Sequence, residues 1–374
     1  MRAESLSSST PRQNDPRPVL HALVGMGMLA IAFLLPLTAA YQLSSLLEPW
    51  IATGIEGLIP DGVLPAPLHH VVLGNYGLLS LGTMSLVWAL PVVLLIGGSL
   101  NLLEQSGMQS WAVAALAPAL RRVGLTPSDI TPVLTGFGCN VIAVNQAQNC
   151  GQCRQSACLS MVTYSSTCSY QLGAAFAIFG IIGQPWLVAP YLSLLIIVGA
   201  LHTRFWWGKA PVTSGPRIVG KLRMPDLART LQAQAAGLRM FFQEAMPLFL
   251  LVCVLGAAVE YVHVPGYVGG LLAPVLGWLG IQEGLAPSVL FSLIRKDGIL
   301  IANQGGGAVL EQLSAHQAFL FVYFASALSS CAVTLSAIVK GSNLRMAFTL
   351  WGRQVVTALV TTGLLHVVFR TLYA

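Results

Sequence analysis

The chain carries seven cysteines, at positions 139, 150, 153, 158, 168, 253 and 331. Three of them stand where a thiol could meet a passing ion. Cys139 lies in Gly136-Phe137-Gly138-Cys139-Asn140, and the two glycines let the backbone unwind and approach a ligand closely. Cys168 lies in Ser165-Ser166-Thr167-Cys168-Ser169 and Cys331 in Ser329-Ser330-Cys331, two related polar stretches. Thiolates suit soft or borderline metals such as Fe(II), Zn(II) and Cu(I). Asn140, Ser166, Ser169 and Ser330 could add weak oxygen ligands beside them. A buried cysteine can equally be a small hydrophobe. That alternative stays open for all three thiols and is the preferred one for Cys253, in a plain apolar run. Cys150-Gly151-Gln152-Cys153 is a single CxxC with no second pair to complete a zinc site. With Cys158 nearby it reads as a chelator at a mouth of the path, as a polar turn, or as a redox pair. No cysteine falls in the stretch 48–78, which argues against a disulfide framework.

Charged residues inside apolar sequence are the second source of chemistry. Glu104 and Glu260 end two equivalent apolar segments, and Arg295-Lys296-Asp297 interrupts the stretch 285–303. Ionisable groups within a membrane are costly and are functional candidates by default, here for gating or ion handling. The plainer alternatives are a helix end in the interface for each Glu, and a mutually neutralised knot for the Arg-Lys-Asp cluster.

The elements that must position these residues are membrane helices. The chain is 55% hydrophobic and 9% charged, with a mean hydropathy of +0.73; soluble domains run near 25% charged. Apolar runs fall at about 19–47, 79–103, 155–180, 186–206, 241–262, 316–338 and 348–369. Most are about 20 residues or longer, enough to span the hydrocarbon. Shorter pieces at 109–120, 130–147, 266–280 and 285–303 are interrupted by Gly and Pro. Non-helical backbone at membrane depth survives only where protein or a water-filled cavity satisfies it, so these pieces predict broken or re-entrant helices around a path.

The chain also repeats itself. Ala89 to Glu104 (ALPVVLLIGGSLNLLE) matches Ala245 to Glu260 (AMPLFLLVCVLGAAVE) at a spacing of 156. Leu116-Ala117-Pro118 and Gly124 recur at that spacing as Leu272-Ala273-Pro274 and Gly280, and Asn145-Gln146 recurs as Asn303-Gln304, shifted by two. The N-terminal stretch carries Arg2, Arg12 and Arg17, and the loop after 206 carries Lys209, Arg217, Lys221, Arg223 and Arg229, while 48–78 has no Lys or Arg. The positive-inside rule puts the first two regions in the cytoplasm. The two copies are then entered from opposite faces, an inverted repeat with its site between the halves. The expected fold is all-α and polytopic. Its divisions are a disordered cytoplasmic tail (1–18), a first transmembrane helix with an outer loop (19–78), one repeat module (79–206), a basic cytoplasmic loop (207–240) and a second module (241–374).

Several classes drop out. The net charge of +6 sits in the cytoplasmic loops, and no basic, aromatic-interleaved soluble domain exists, so nucleic acid is not an expected partner. The first apolar run is too long for a cleavable signal peptide. No Gly-x-x-x-x-Gly-Lys-Ser/Thr occurs, so the chain is expected to bind no nucleotide and to be no enzyme.

At Leu103-Glu104-Gln105-Ser106-Gly107, Gly124-Leu125, Pro132 through Asn140, Cys168-Ser169, Arg295-Lys296-Asp297 and Cys331, in that order, the chain resembles the membrane domain of the bacterial ferrous-iron transporter B family, FeoB. Asn75-Tyr76-Gly77 is similar to its Asp-Tyr-Gly subtype, and the resemblance covers roughly 18–372. It implies two inverted Gate modules, related to nucleoside-recognition Gate proteins, in a bacterial inner membrane. It also implies an iron path lined by Cys139, Cys168 and Cys331. Ile142 stands where the family usually has Pro, Asn145 to Asn149 where it has Thr-Arg, and Thr167 and Ser330 where Pro often precedes the later cysteines. Fewer prolines mean weaker helix breaks. The family begins with a cytoplasmic G domain, whereas only about 18 residues precede the first span here. A separate cytoplasmic P-loop GTPase is therefore an expected partner, beside the lipid bilayer; a homo-oligomer stays open. The expected cargo is Fe(II) or another divalent metal, moved inward, with no permanently bound cofactor. The alternatives are a Gate-type carrier for a nucleoside or other organic solute, and a membrane-embedded redox or metal sensor using Cys150 and Cys153.

Overall fold

The computed structural model describes residues 18–56, 65–74, 77–109, 111–113, 120, 122–150, 154–208, 224–240, 242–243, 246–261, 264–303, 308–328 and 330–373. The expected tail, Asn75-Tyr76, the Leu116-Ala117-Pro118 match, Cys153, most of the basic loop, Gln304 and Ser329 lie outside the described residues. Every described element is helical. Five stretches are long and apolar enough to cross a membrane: 23–51, 86–106, 185–207, 315–341 and 344–372. The protein is a multi-pass membrane protein.

The long helices begin with α1 (Pro18–Glu56), the short α2 (Ala66–Leu73) and α3 (Leu81–Ser106). α1 packs along α3, while residues such as Leu35 and Leu46 on its other side stay exposed. In water that apolar surface would be costly; in a bilayer it faces hydrocarbon. After α3 the chain turns through Gly124, whose φ of 88° is left-handed, then a 3₁₀ turn at Pro127–Asp129, then α4 (Ile130–Gly136) and α5 (Asn140–Asn149). Next come α6 (Gln155–Ser165), α7 (Ser169–Ile181) and α8 (Val188–Trp207).

The second half repeats the order. α9 (Leu227–Met240) leads to α10 (Met246–Tyr261) and α11 (Val264–Trp278). Gly280, with φ 72°, precedes a 3₁₀ turn at Glu283–Leu285, α12 (Ala286–Ile294) and a 3₁₀ segment at Lys296–Asn303. α13 (Ala315–Leu328), α14 (Ala332–Gly341) and α15 (Leu344–Tyr373) complete it. The left-handed glycine, the 3₁₀ turn and the start of the next helix recur at the same spacing of 156. Packing between the halves is reciprocal: α7 lies on the second half's 3₁₀ segment, and α14 lies on its counterpart α5. Such an exchange of equivalent elements is what a two-fold relation produces.

Three details differ from expectation. The runs 155–180 and 316–338 read as continuous, yet each is two helices with an extended break, at Ser166–Cys168 and just before Ala332. Hydropathy does not register a break of two or three residues, but Ser and Thr there offer the backbone alternative hydrogen bonds. The piece 266–280, by contrast, is one helix, α11, with Pro274 inside it. The basic loop 207–240 contains α9, whose apolar positions at Leu227, Leu231 and Leu238 recur with the helical period.

The core centres on three buried tyrosines. Tyr164 and Tyr323 share a hydrogen bond of 3.2 Å, Tyr323 donates to Thr361 Oγ1 at 3.1 Å, and Tyr191 pairs with Ser326 Oγ at 2.7 Å. Each large ring thus packs without leaving its hydroxyl unsatisfied.

If the halves are inverted, Glu104 and Glu260 lie on opposite faces of the bilayer. Introduced as Glu104→Cys and Glu260→Cys, the two sites should label with an impermeant maleimide from opposite sides, read by mass spectrometry at each site. Labelling from one side only would refute inversion.

Candidate functional site

The first helix break is built around Gly136 and Asn140. The amides of Gly138 and Cys139 both donate to Thr135 O, at 3.0 and 2.9 Å, closing α4. Cys139 is then extended (φ −149°, ψ 116°) and α5 starts at Asn140. A Cβ on Gly136 would stand 2.6 Å from both Cβ and Oγ of Ser166, so only glycine lets the two strands of chain come this close. Asn140 Nδ2 donates to Ser166 O at 3.2 Å, and Ser166 Oγ donates to Val133 O at 2.9 Å. The break at Cys139 is thereby tied to the break at Cys168.

The later breaks have the same shape. Cys168 (φ −63°, ψ 164°) and Cys331 (φ −57°, ψ 156°) each precede the first residue of a helix, α7 and α14. Ser330 Oγ donates to Gln354 Oε1 at 3.2 Å, and Gln354 Nε2 donates to Thr163 O and Ala327 O at 3.1 and 3.0 Å, one carbonyl from each half. Cys331 Sγ and Thr334 Oγ1 are 3.1 Å apart. Gln354 escapes sequence reading because it sits in α15, far along the chain from either break. Its only signal is an amide inside an apolar run.

Arg295 and Lys296 stand at the repeat positions of Cys139 and Asn140. The backbone agrees: Arg295 is extended (φ −142°, ψ 135°), like Cys139. Both cations are buried. Arg295 Nη1 donates to Cys253 Sγ at 3.3 Å, so Cys253 does more than pack. Lys296 Nζ donates to Ser326 O at 3.0 Å. α7, just after Cys168, packs on the 3₁₀ segment that starts at Lys296, and α14, just after Cys331, packs on α5, just after Cys139, so helices that begin at these breaks pack across the two halves around one centre. Among the described residues no three His, Cys, Asp or Glu side chains form a group that could hold one metal ion. The three thiols, each half-buried and outside any disulfide, do not make a single coordination shell. Three buried oxygens nearby in sequence, Asn140 Oδ1, Thr167 Oγ1 and Gln171 Oε1, have no hydrogen-bond partner. Buried polar atoms without partners are rare and mark a place where a ligand would be welcome. Thr167 and Gln171 were not foreseen as such. The side chains of Ser169, Glu260 and Asp297 lie outside the described residues.

A cavity of about 980 Å³ reaches this centre from one side, with Cys139, Glu104, Asn101, Asn145 and Lys340 in its wall. α9 closes it: Gln234 Nε2 donates to Val93 O and Leu94 O at 3.2 and 3.1 Å, and Gln234 Oε1 accepts from Asn101 Nδ2 at 3.1 Å. Cys158 lies apart, buried, with its thiol 3.7 Å from Asp129 O. Cys150 caps α5 and is disulfide-bonded.

Residues 86–182 match the Gate family, described as nucleoside recognition. The chain is similar to the Fe(2+) transporter FeoB of Legionella pneumophila, 29% identical over 181 residues, covering 46% of this chain and 24% of that protein. It is also similar to the Fe(2+) transporter FeoB of Synechocystis sp., 24% identical over 358 residues, covering 87% of this chain and 55% of that protein. The matched region thus spans between about a quarter and just over half of the length of these curated relatives. A solved structure titled "Structure of CNTnw in an inward-facing substrate-bound state" aligns with a TM-score of 0.46 at 14% identity, covering 93% of this chain and 99% of that one.

Gly136→Ala tests the tie between the breaks. The added methyl has no room beside Ser166, and overpacking of this kind costs about 1–3 kcal/mol. A lower melting temperature in detergent is expected; an unchanged one would mean the contact yields freely.

Proposed function

Starting from a membrane domain that is FeoB-like and carries a Gate match over 86–182, we propose that the chain moves a divalent metal ion, Fe(II) first among them, inward across the bacterial inner membrane, with its N-terminus in the cytoplasm. The cargo passes along a path rather than resting in a closed site. The supporting observation is that Cys139, Cys168 and Cys331 each stand at a helix break, and that the helices starting at these breaks pack across the two halves. Cys139 stands in the cavity wall and is the first station; Cys168 and Cys331 follow. Asn140 Oδ1 and Thr167 Oγ1 supply buried oxygens that lack partners, Ser166 and Ser330 line the same breaks, and Ser169 is a further candidate by its place in the sequence. A conducting path needs several weak sites, so that an ion can enter and also leave. Thiols that fail to form one shell suit this better than a tight tetrahedral site would. Glu104, in the cavity wall, supplies the carboxylate that attracts a hydrated cation before it meets a thiol.

A second reading, a carrier for a nucleoside or similar organic solute, is favoured by one observation. The cavity is large and rich in amides, with Asn101, Gln109, Asn145, Gln146 and Gln148 in its wall. Such groups hydrogen-bond a heterocycle well, and ligand pockets of this size are ordinary.

Purified full chain in liposomes, assayed with and without an added cytoplasmic P-loop GTPase and GTP, separates the two under whichever condition supports flux. Uptake of Fe(II) without competition from uridine supports the metal path, and uridine uptake insensitive to Fe(II) sinks it. Within the metal reading, Cys139→Ser, Cys168→Ser and Cys331→Ser each replace a soft ligand by a hard one and should cut flux about tenfold or more. Cys158→Ser, at a thiol packed away from the path, should leave flux unchanged.

Energy supply is part of the same reading. A gate moves only if something binds its open and closed states unequally, and no nucleotide motif exists in the chain. The proposed partner is a separate cytoplasmic P-loop GTPase. Flux that appears only with such a GTPase and GTP is the expected result. Flux that merely follows the imposed metal gradient would make the chain an autonomous channel or carrier.

A further inference from the structure

Three guanidinium groups gather at the C-terminal end of α8. Arg154, which caps α6, donates to Trp207 O at 2.8 Å and to Gly124 O at 2.9 Å. Arg353, from α15, lies over the rings of Trp206 and Trp207, 5.0 and 4.4 Å from their centroids. The protein itself occupies both. Arg204, in the last turn of α8, is different. Its Nη1 is buried and has no hydrogen-bond partner among the described residues, and no described carboxylate forms an ion pair with it. Asp129, the carboxylate beside Arg154, is taken up by Thr126 and by the Arg154 amide. A buried polar atom without a partner is rare, and a partly buried charge without a counter-ion is costly. On its other side Arg204 lines an open cavity of about 600 Å³ with Leu201, Phe205 and Gly208. Ile197 and Leu201 stand on the same helix face as Arg204 and are 57% and 60% exposed, so an apolar stripe leads up to a cation. Trp186 and Trp206 give the depth. They are 20 residues apart, about 30 Å along the helix, and tryptophan favours the two membrane interfaces. Arg204 therefore stands at the level of lipid headgroups and Ile197 at that of acyl chains.

We propose that this end of α8 is a binding site for an anionic phospholipid of the adjacent leaflet, its phosphate against Arg204 and one acyl chain along Leu201 and Ile197. Guanidinium and phosphate match in charge and in hydrogen-bonding geometry, and basic sites at this depth suit lipid headgroups. The carbonyls at a helix C-terminus would repel an anion, but here Arg154 and Arg353 cover them: Arg353 donates to Trp206 O at 3.4 Å, beside the Arg154 bond to Trp207 O. A zwitterionic lipid offers the same phosphate with an ammonium beside it, which cancels the attraction. The site owes nothing to the identity of the cargo. Arg154 belongs to the first half and Arg353 to the second, so a lipid seated here steadies a junction between them.

Thermal melting of the full chain in a neutral detergent tests this, with phosphatidylglycerol, phosphatidylcholine or inorganic phosphate added. A ligand that binds only the folded chain raises its melting temperature. Phosphatidylglycerol should raise it by several degrees more than phosphatidylcholine does. Arg204→Gln should abolish that difference and Arg204→Lys should keep most of it. Arg370→Gln, at an exposed position near the end of α15, should leave it intact. Leu201→Glu places a carboxylate beside the phosphate seat on an exposed surface, and should also abolish the difference. If Arg204→Gln does not fold, Leu201→Glu decides the matter. Equal gains from the two lipids overturn the proposal. So does a phosphatidylglycerol gain that survives in a folded Arg204→Gln or Leu201→Glu chain. A gain from inorganic phosphate as large as that from phosphatidylglycerol would make this a site for a free anion, and would overturn the lipid assignment.

Discussion

Every feature of the centre depends on one constraint: backbone groups exposed by a helix break inside a membrane must find partners within the protein. Side chains supply them here. Asn140 serves the carbonyl of Ser166, Lys296 that of Ser326, and Gln354 those of Thr163 and Ala327. Gly136 permits the close approach that brings Ser166 within reach. Without these amides and this glycine, the chain around Cys139, Cys168 and Cys331 would gain more by continuing as helix.

The two halves solve that constraint in chemically different ways. Cys139 and Asn140 in the first become Arg295 and Lys296 in the second, on nearly the same backbone. Gly97, in the cavity wall, corresponds to Cys253, which is buried and accepts from Arg295. Thr135, also in the wall, corresponds to Phe291 in the core. The first half is thus open and polar where the second is filled by a guanidinium and an aromatic ring. A path that is open at one end and closed at the other is what alternating access requires of a repeat-built transporter in any one state.

α9 adds a layer that belongs to neither repeat. It lies against α3 and holds the cavity wall through Gln234, whose amide reaches the carbonyls of Val93 and Leu94. These hydrogen bonds are few and partly exposed, and such contacts sit at the low-stability end of a fold. The connection between the halves is therefore placed to sense or to alter the size of the cavity beside Cys139.

The membrane class, the two-part repeat and the break at Gly136 to Cys139 were legible in the sequence. They rest on composition, on a fixed spacing and on glycine, all local properties that need no knowledge of neighbours. Cys139, Cys168, Cys331 and the Arg295-Lys296 pair stood out for the same reason: thiols and charges are conspicuous in apolar sequence. The breaks before α7 and α14, the continuity of α11 and the existence of α9 were not, because short extended segments leave hydropathy unchanged and Pro274 is tolerated once its neighbours pack. Only the tertiary structure decided that Gln354 bridges both halves, that Arg295 reaches Cys253, and that Lys296 reaches the carbonyl of Ser326. Those contacts join residues 24 to 191 positions apart. Sequence separation carries no information about such pairs; the packing of α15 on α6 and α13, and of the Lys296–Asn303 segment on α13, brings such residues together.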